Sequence, residues 1–194
     1  MTITCDKLNI FREISNIGSG NASTSLATML NESVDIGIPN SDIIESINAT
    51  IGYNSPDELA VGTVLQLSGD MEGFIMVIMK IESAFNLLSK LSGKKVEYDK
   101  NNYEEICNIL CGTYLTAISD MTNLTITPSI PYFSVDMIGA IMNLPISLYG
   151  SDLDSILCIE TDFFTLNYDI EGKYYFIPDV TSCTKLLSTL GFAV

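Results

Sequence analysis

Two stretches of this 194-residue chain repeat one another, and that repeat limits the possible folds more than any composition statistic. FREISNIGSGNASTSLATMLNESVDIGIP aligns with YEEICNILCGTYLTAISDMTNLTITPSIP at a spacing of 92. Asn9 then meets Asn101, Glu13 meets Glu105, Asn16 meets Asn108, Gly20 meets Gly112 and Pro39 meets Pro131. Further along, DMEGFIMVIMKIESAFNLLSKL aligns with DIEGKYYFIPDVTSCTKLLSTL at a spacing of 99, so the second copy holds seven extra residues somewhere in its middle. Two copies of so long a period do not make a solenoid. The pattern predicts a single domain over residues 1–194, built by duplication from halves of about 1–97 and 98–194.

Each half carries the same succession of patterns. A long amphipathic helix is predicted near 5–31 and near 99–122, from apolar residues at helical spacing. A short strand follows at 34–38 and at 124–130. Then come two strands joined by an Asp-x-Glu-Gly turn, 60–68 with 73–79 and 155–163 with 173–178, and a closing helix at 82–92 and 181–190. Hairpin connections dominate, so the expected class is α+β. Its sheet is mainly antiparallel, its halves are related by a pseudo-twofold, and the two long helices lie side by side on one face.

Composition removes several classes of function. The formal net charge is −15, with only nine basic residues, and the acids fall evenly in both halves. Nucleic-acid or anionic-lipid binding is not expected, because both rest on Lys and Arg neutralising phosphate. No apolar run approaches the roughly 20 residues needed to span a bilayer. The opening MTITCDKLNIF lacks the basic-then-apolar pattern of a leader peptide, so a cytoplasmic protein is expected, and a monomer. With no histidine and no Cys-x-x-Cys among five cysteines, a zinc site is not expected either.

The Gly18-Ser19-Gly20 segment invites a phosphate-loop reading, and the repeat rejects it. A helical pattern precedes Gly18, Ser23 stands where a third glycine would be needed, and Gly18 aligns with Leu110. What recurs is Glu-x-x-Asn, a glycine four residues on, and a proline after an interval of 22. On a helix these polar positions share one side, so Glu13, Asn16 and Gly20 form one stripe and Glu105, Asn108 and Gly112 another. Glycine costs a helix interior about 1 kcal/mol relative to alanine. Its repetition implies a close approach to the backbone, for which packing against the partner helix is the favoured explanation. Exposed polar pairs have no packing reason to recur.

The doubled Glu-x2-Asn-x22-Pro pattern, together with EISNIGSGNAS, resembles the CheC/CheX/FliY family of chemotaxis phosphatases, whose motif reads Asp/Ser-x3-Glu-x2-Asn-x22-Pro. The layout is most similar to the CheC type. Both copies depart at the first position, where Asn9 and Asn101 replace Asp or Ser. The resemblance implies a hydrolase that removes the aspartyl phosphate of a CheY-type response regulator. It also implies no cofactor of its own, since Mg²⁺ travels with the substrate, and a possible second partner in the receptor deamidase CheD. Under it Asn16 and Asn108 would hold the attacking water, because a carboxamide offers an acceptor and donors on one plane. Glu13 and Glu105 would pair with a receiver lysine, and Asn9, Gly20, Pro39, Asn101, Gly112 and Pro131 would support the motif. The absence of histidine excludes Ser-His and Cys-His nucleophiles. The alternative is a non-catalytic binding module for CheD or a flagellar switch component.

Overall fold

The computed structural model describes residues 5–44, 56–94, 99–149 and 156–192. In chain order the elements are α1 (Cys5–Leu30), β1 (Val34–Ile36), β2 (Asn40–Ile44), β3 (Leu59–Gly69), β4 (Gly73–Lys80), α2 (Ile81–Ser92) and α3 (Lys100–Thr122). They continue with β5 (Ile126–Pro128), β6 (Tyr132–Met137), α4 (Ile138–Tyr149), β7 (Ile156–Thr165), β8 (Glu171–Pro178) and α5 (Val180–Thr189). The predicted half boundary at 97/98 and the first residue of the predicted strand 155–163 lie outside the described residues.

Local chemistry sets the ends of the long helices. Asp99 caps α3 by accepting from the backbone N–H groups of Asn101 and Asn102 at 3.1 and 3.2 Å. Both long helices stop at an asparagine with left-handed backbone, Asn31 (φ 53°) after α1 and Asn123 (φ 54°) after α3. Asparagine tolerates that conformation better than other residues with a side chain. The two positions are equivalents in the repeat.

Among the described residues eight strands form one antiparallel sheet in the order β1-β7-β8-β4-β3-β5, with β2 also on β7 and β6 also on β3. Exchanging β1, β2, β3 and β4 for β5, β6, β7 and β8 returns the same order. At the centre β4 lies against β8, and Met76 faces Tyr175, its own equivalent at a spacing of 99. Register also locates the extra residues of the second half. Ile36 faces Phe163, and its equivalent Pro128 faces Leu67, so the spacing on β3 and β7 is 96. The shift from 92 to 96 therefore falls between β6 and β7, and the shift from 96 to 99 falls in the β7–β8 turn.

Strand alternation divides the core in two. Ile75, Val77 and Met79 on β4, with Phe163, Tyr174 and Phe176, face a layer made of α1, α3, α2 and α5. Phe74, Met76 and Ile78 face the opposite way, towards Ile138, Ile141 and Met142 of α4. The two long helices thus lie side by side on one face, as expected, and α4, an element the sequence reading does not include, covers the other. Gly139 and the internal Pro145 hide α4 from a periodicity reading, because both residue types normally interrupt helices. β2 and β6 also extend the sheet beyond the predicted strands.

Candidate functional site

The two long helices touch through small residues. On α1 the buried face reads Ile14, Ser15, Gly18, Ser19, Ala22 and Ser23. A Cβ on Gly18 would lie 2.8 Å from the ring of Tyr114 on α3, so the glycine is what lets that ring in. The Tyr114 hydroxyl and Ser15 Oγ share a hydrogen bond of 2.7 Å, and Ser15 Oγ is 3.1 Å from Thr161 Oγ1 on β7. Burial pushes the Tyr114 phenol well above its usual range, so it stays protonated and able to donate.

This arrangement turns the polar stripes outward. Glu13 and Asn16 on α1, and Glu105 and Asn108 on α3, are all exposed. Among the described residues no hydrogen bond or ion pair occupies the side chain of any of the four. Both stripes continue to their glycines, which are only partly covered. A Cβ on Gly20 would find only Ile36 Cδ1, at 3.9 Å, and one on Gly112 would find nothing within 4 Å. The packing explanation therefore holds for Gly18, which does not recur in the repeat, and fails for Gly20 and Gly112, which do. Their missing side chains leave open surface beside each Glu–Asn pair.

The motif prolines sit in the connectors that flank these stripes. Pro39 is buried and Pro131 half-buried. Each connector is pinned to the sheet at equivalent points. The Gly37 N–H donates to the Asp162 carbonyl at 2.9 Å, and the Ser129 N–H donates to the Gln66 carbonyl at 2.8 Å. The Gln66 N–H returns a bond to Ser129 Oγ at 3.0 Å.

The first motif positions differ between the copies. Asn9 Oδ1 accepts from Arg12 Nη1 at 3.2 Å, which holds a guanidinium next in sequence to Glu13. The equivalent of Arg12 is Glu104, 3.6 Å from Lys100 Nζ, and Asn101 is exposed at the capped start of α3. The first pair thus has a fixed cation beside it, whereas the second has another carboxylate. Arg12 escapes motif reading because the difference lies outside the shared pattern.

Among the described residues no exposed thiol lies within either stripe. Cys107, next to both Ile106 and Asn108 in sequence, is buried, and desolvation pushes its thiol up to about 12. Among the described residues no group of three or more Cys, Asp or Glu side chains is arranged to hold a metal ion, and no helix is long and apolar enough to cross a membrane. What the stripes offer is an exposed carboxylate and carboxamide on one rigid helix face, twice.

The CheC-like family matches residues 7–41 and 104–135, one stretch from each repeat. Each match takes in one Glu–Asn stripe and its proline. The chain is 26% identical to the CheY-P phosphatase CheC of Bacillus subtilis (strain 168), over 96% of this chain and 94% of that one. Its fold matches the crystal structure of Thermotoga maritima FliY with a TM-score of 0.76, at 18% identity, covering 98% of both chains. It also matches a chain in the CheX-CheY-BeF3-Mg²⁺ complex from Borrelia burgdorferi with a TM-score of 0.53, at 22% identity, covering 85% of this chain and 98% of that one.

Proposed function

We propose that this protein is a phosphatase for the aspartyl phosphate of a CheY-type response regulator, with one site on each long helix. An acyl phosphate is already activated, and the receiver brings its own Mg²⁺. The phosphatase then has to hold one water in line with the bond that breaks. Asn16 and Asn108 do this through the amide, whose oxygen accepts from the water while its N–H groups donate to the phosphoryl oxygens. The logic is that of the glutamine that orients water in small GTPases. Glu13 and Glu105, one turn away, pair with a receiver lysine and set the docking register.

The observation that carries this reading is that both Glu–Asn pairs are exposed and unengaged among the described residues, on helices held rigidly from behind. Side chains needed for stability would be expected to have partners. The likeness to a chain named as a CheY-P phosphatase supports the same substrate class.

The test is decay of a phosphorylated CheY-type receiver domain, followed with wild type, Asn16→Ala, Asn108→Ala and the double variant. Wild type should accelerate decay, each single variant should keep part of the acceleration, and the double variant should lose on the order of 10²-fold or more. A wild type without effect, in the presence or absence of CheD, would leave the protein as a binding module. A double variant as fast as wild type would remove the amides from the mechanism.

A further inference from the structure

Ile38 and Ile130 are the two most exposed large apolar side chains among the described residues, at 94% and 89% exposure. Single exposed apolar residues are ordinary on protein surfaces. These two are not independent, because they are equivalents in the repeat and each directly precedes a motif proline. The residues before them differ, Gly37 in one copy and Ser129 in the other, so the apolar residue recurs where its preceding neighbour does not.

One contact in each half locates the isoleucine's connector against its long helix. In the first half the connector leaves β1 at Ile36, whose Cδ1 lies 3.9 Å from the Cβ position of Gly20. In the second it ends at Phe133, whose ring meets Tyr103 edge-on at 5.6 Å and has Lys100 Nζ 5.7 Å from its centre. Gly20 marks the far end of a stripe, and Tyr103 lies just ahead of Glu105. With the halves taken as equivalents, these two contacts bracket the course of the connector along the stretch of helix that carries the glutamate and the asparagine. The hydrogen bonds of Gly37 and Ser129 to the sheet fix the backbone there, and the buried or half-buried proline fixes the next residue. A rigid backbone that presents an apolar side chain to solvent loses little conformational entropy on binding.

We infer that Ile38 and Ile130 are apolar docking anchors, each seating the receiver domain whose phosphoryl group meets the adjacent Asn16 or Asn108. The inference rests on the proposed phosphatase reading, and it assigns a separate task to these residues. Polar contact to phosphate and lysine sets register, while the isoleucine supplies binding energy through buried apolar area. The surface is continuous with the stripe and present once per stripe, which is what a receiver docked at either site requires and what one self-association patch does not.

The experiment compares wild type with Ile38→Ser/Ile130→Ser and with Ile38→Leu/Ile130→Leu. Two readings are taken, steady-state hydrolysis of the phosphorylated receiver and binding of a Mg²⁺- and beryllofluoride-loaded receiver by calorimetry. The serine variant should raise KM and Kd by roughly 10-fold or more, the size expected for losing one buried aliphatic contact per site. Its kcat and melting temperature should be retained, and the leucine variant should bind like wild type. An unchanged KM and Kd overturns the inference and leaves the phosphatase reading standing, as does a loss confined to kcat. If wild type does not hydrolyse the phosphoreceiver, the calorimetric series decides. Weaker binding by the serine variant upholds the anchors, and a wild type that does not bind overturns them with the phosphatase reading. A wild type that self-associates, with a monomeric serine variant of unchanged KM, assigns the surface to a second copy of this chain and overturns the inference.

Discussion

Ser15 on α1 and Tyr114 on α3 share a buried hydrogen bond of 2.7 Å, and the tyrosine ring lies where a side chain on Gly18 would be. The helices that carry the two proposed sites are thus tied together from behind at a residue next in sequence to Asn16. A methyl group at Gly18 would push the ring away at 2.8 Å. Overpacking of this kind costs about 1–3 kcal/mol, and the better helix propensity of alanine returns about 1. Gly18→Ala should therefore be neutral to destabilising by about 2 kcal/mol in urea unfolding. A gain in stability would show that the helices can separate freely.

The same substitution two residues later should have the opposite sign. Gly20 and Gly112 have room for a methyl group and lie within helices, so alanine at both should stabilise by up to about 2 kcal/mol. The same methyl groups would occupy the open surface beside Glu13–Asn16 and Glu105–Asn108. The double alanine variant should melt at a higher temperature and dephosphorylate the receiver more slowly. A variant both more stable and fully active would show that nothing approaches these glycines.

That contrast also shows which features were legible in the sequence. Repetition alone separates Gly20 and Gly112 from Gly18, and it marks Glu13, Asn16, Glu105 and Asn108. It could not say why the glycines recur, because their surroundings depend on how α1 and α3 pack. Elements with regular periodicity, such as α1, α3, β4 and β8, were readable to within a few residues. α4 was not, since Pro145 and Gly139 interrupt its pattern while its burial against Met76 and Tyr175 sustains it. Sequence spacing puts seven extra residues in the second copy, and strand register divides them between the α4 region and the β7–β8 turn.

Glu160 on β7 should give stability a measurable dependence on pH. Its pKa is raised first by burial, and Lys173, with Nζ 3.9 Å from Oε2, opposes that rise. A carboxyl group with a raised folded pKa binds more protons folded than unfolded. Its contribution is fully present below the ordinary value of 4.5 and is lost as pH rises through the folded value. Glu160→Gln should remove that slope in melting temperature as pH rises above 4.5. Asp70 and Asp169 act oppositely. Hydrogen bonding to Lys185 lowers the first, and hydrogen bonding to Thr165 and then Lys90 lowers the second. Their contributions are present above 3.8 and fade only at lower pH. Identical slopes in wild type and Glu160→Gln would show that Glu160 is solvated in solution.

The two sites should differ in their response to salt. Arg12, held by Asn9, stands beside Glu13, whereas Glu104 stands beside Glu105. A receiver lysine approaching the second site meets Glu105 beside a Glu104 already paired with Lys100, and at the first it meets Glu13 beside a guanidinium that no carboxylate neutralises among the described residues. Electrostatic attraction of this kind acts mainly on association and weakens as the screening length falls from ~30 Å at 0.01 M to ~8 Å at 0.15 M salt. At low ionic strength Asn108→Ala should therefore lower kcat/KM more than Asn16→Ala, because it disables the more attractive site. The gap should narrow towards physiological salt, with kcat little changed. Exchanging the charges by Arg12→Glu and Glu104→Arg should reverse the order of the two alanine variants. Equal losses at every salt concentration would mean that these neighbours do not influence docking, and a larger loss from Asn16→Ala would reverse the assignment of the stronger site.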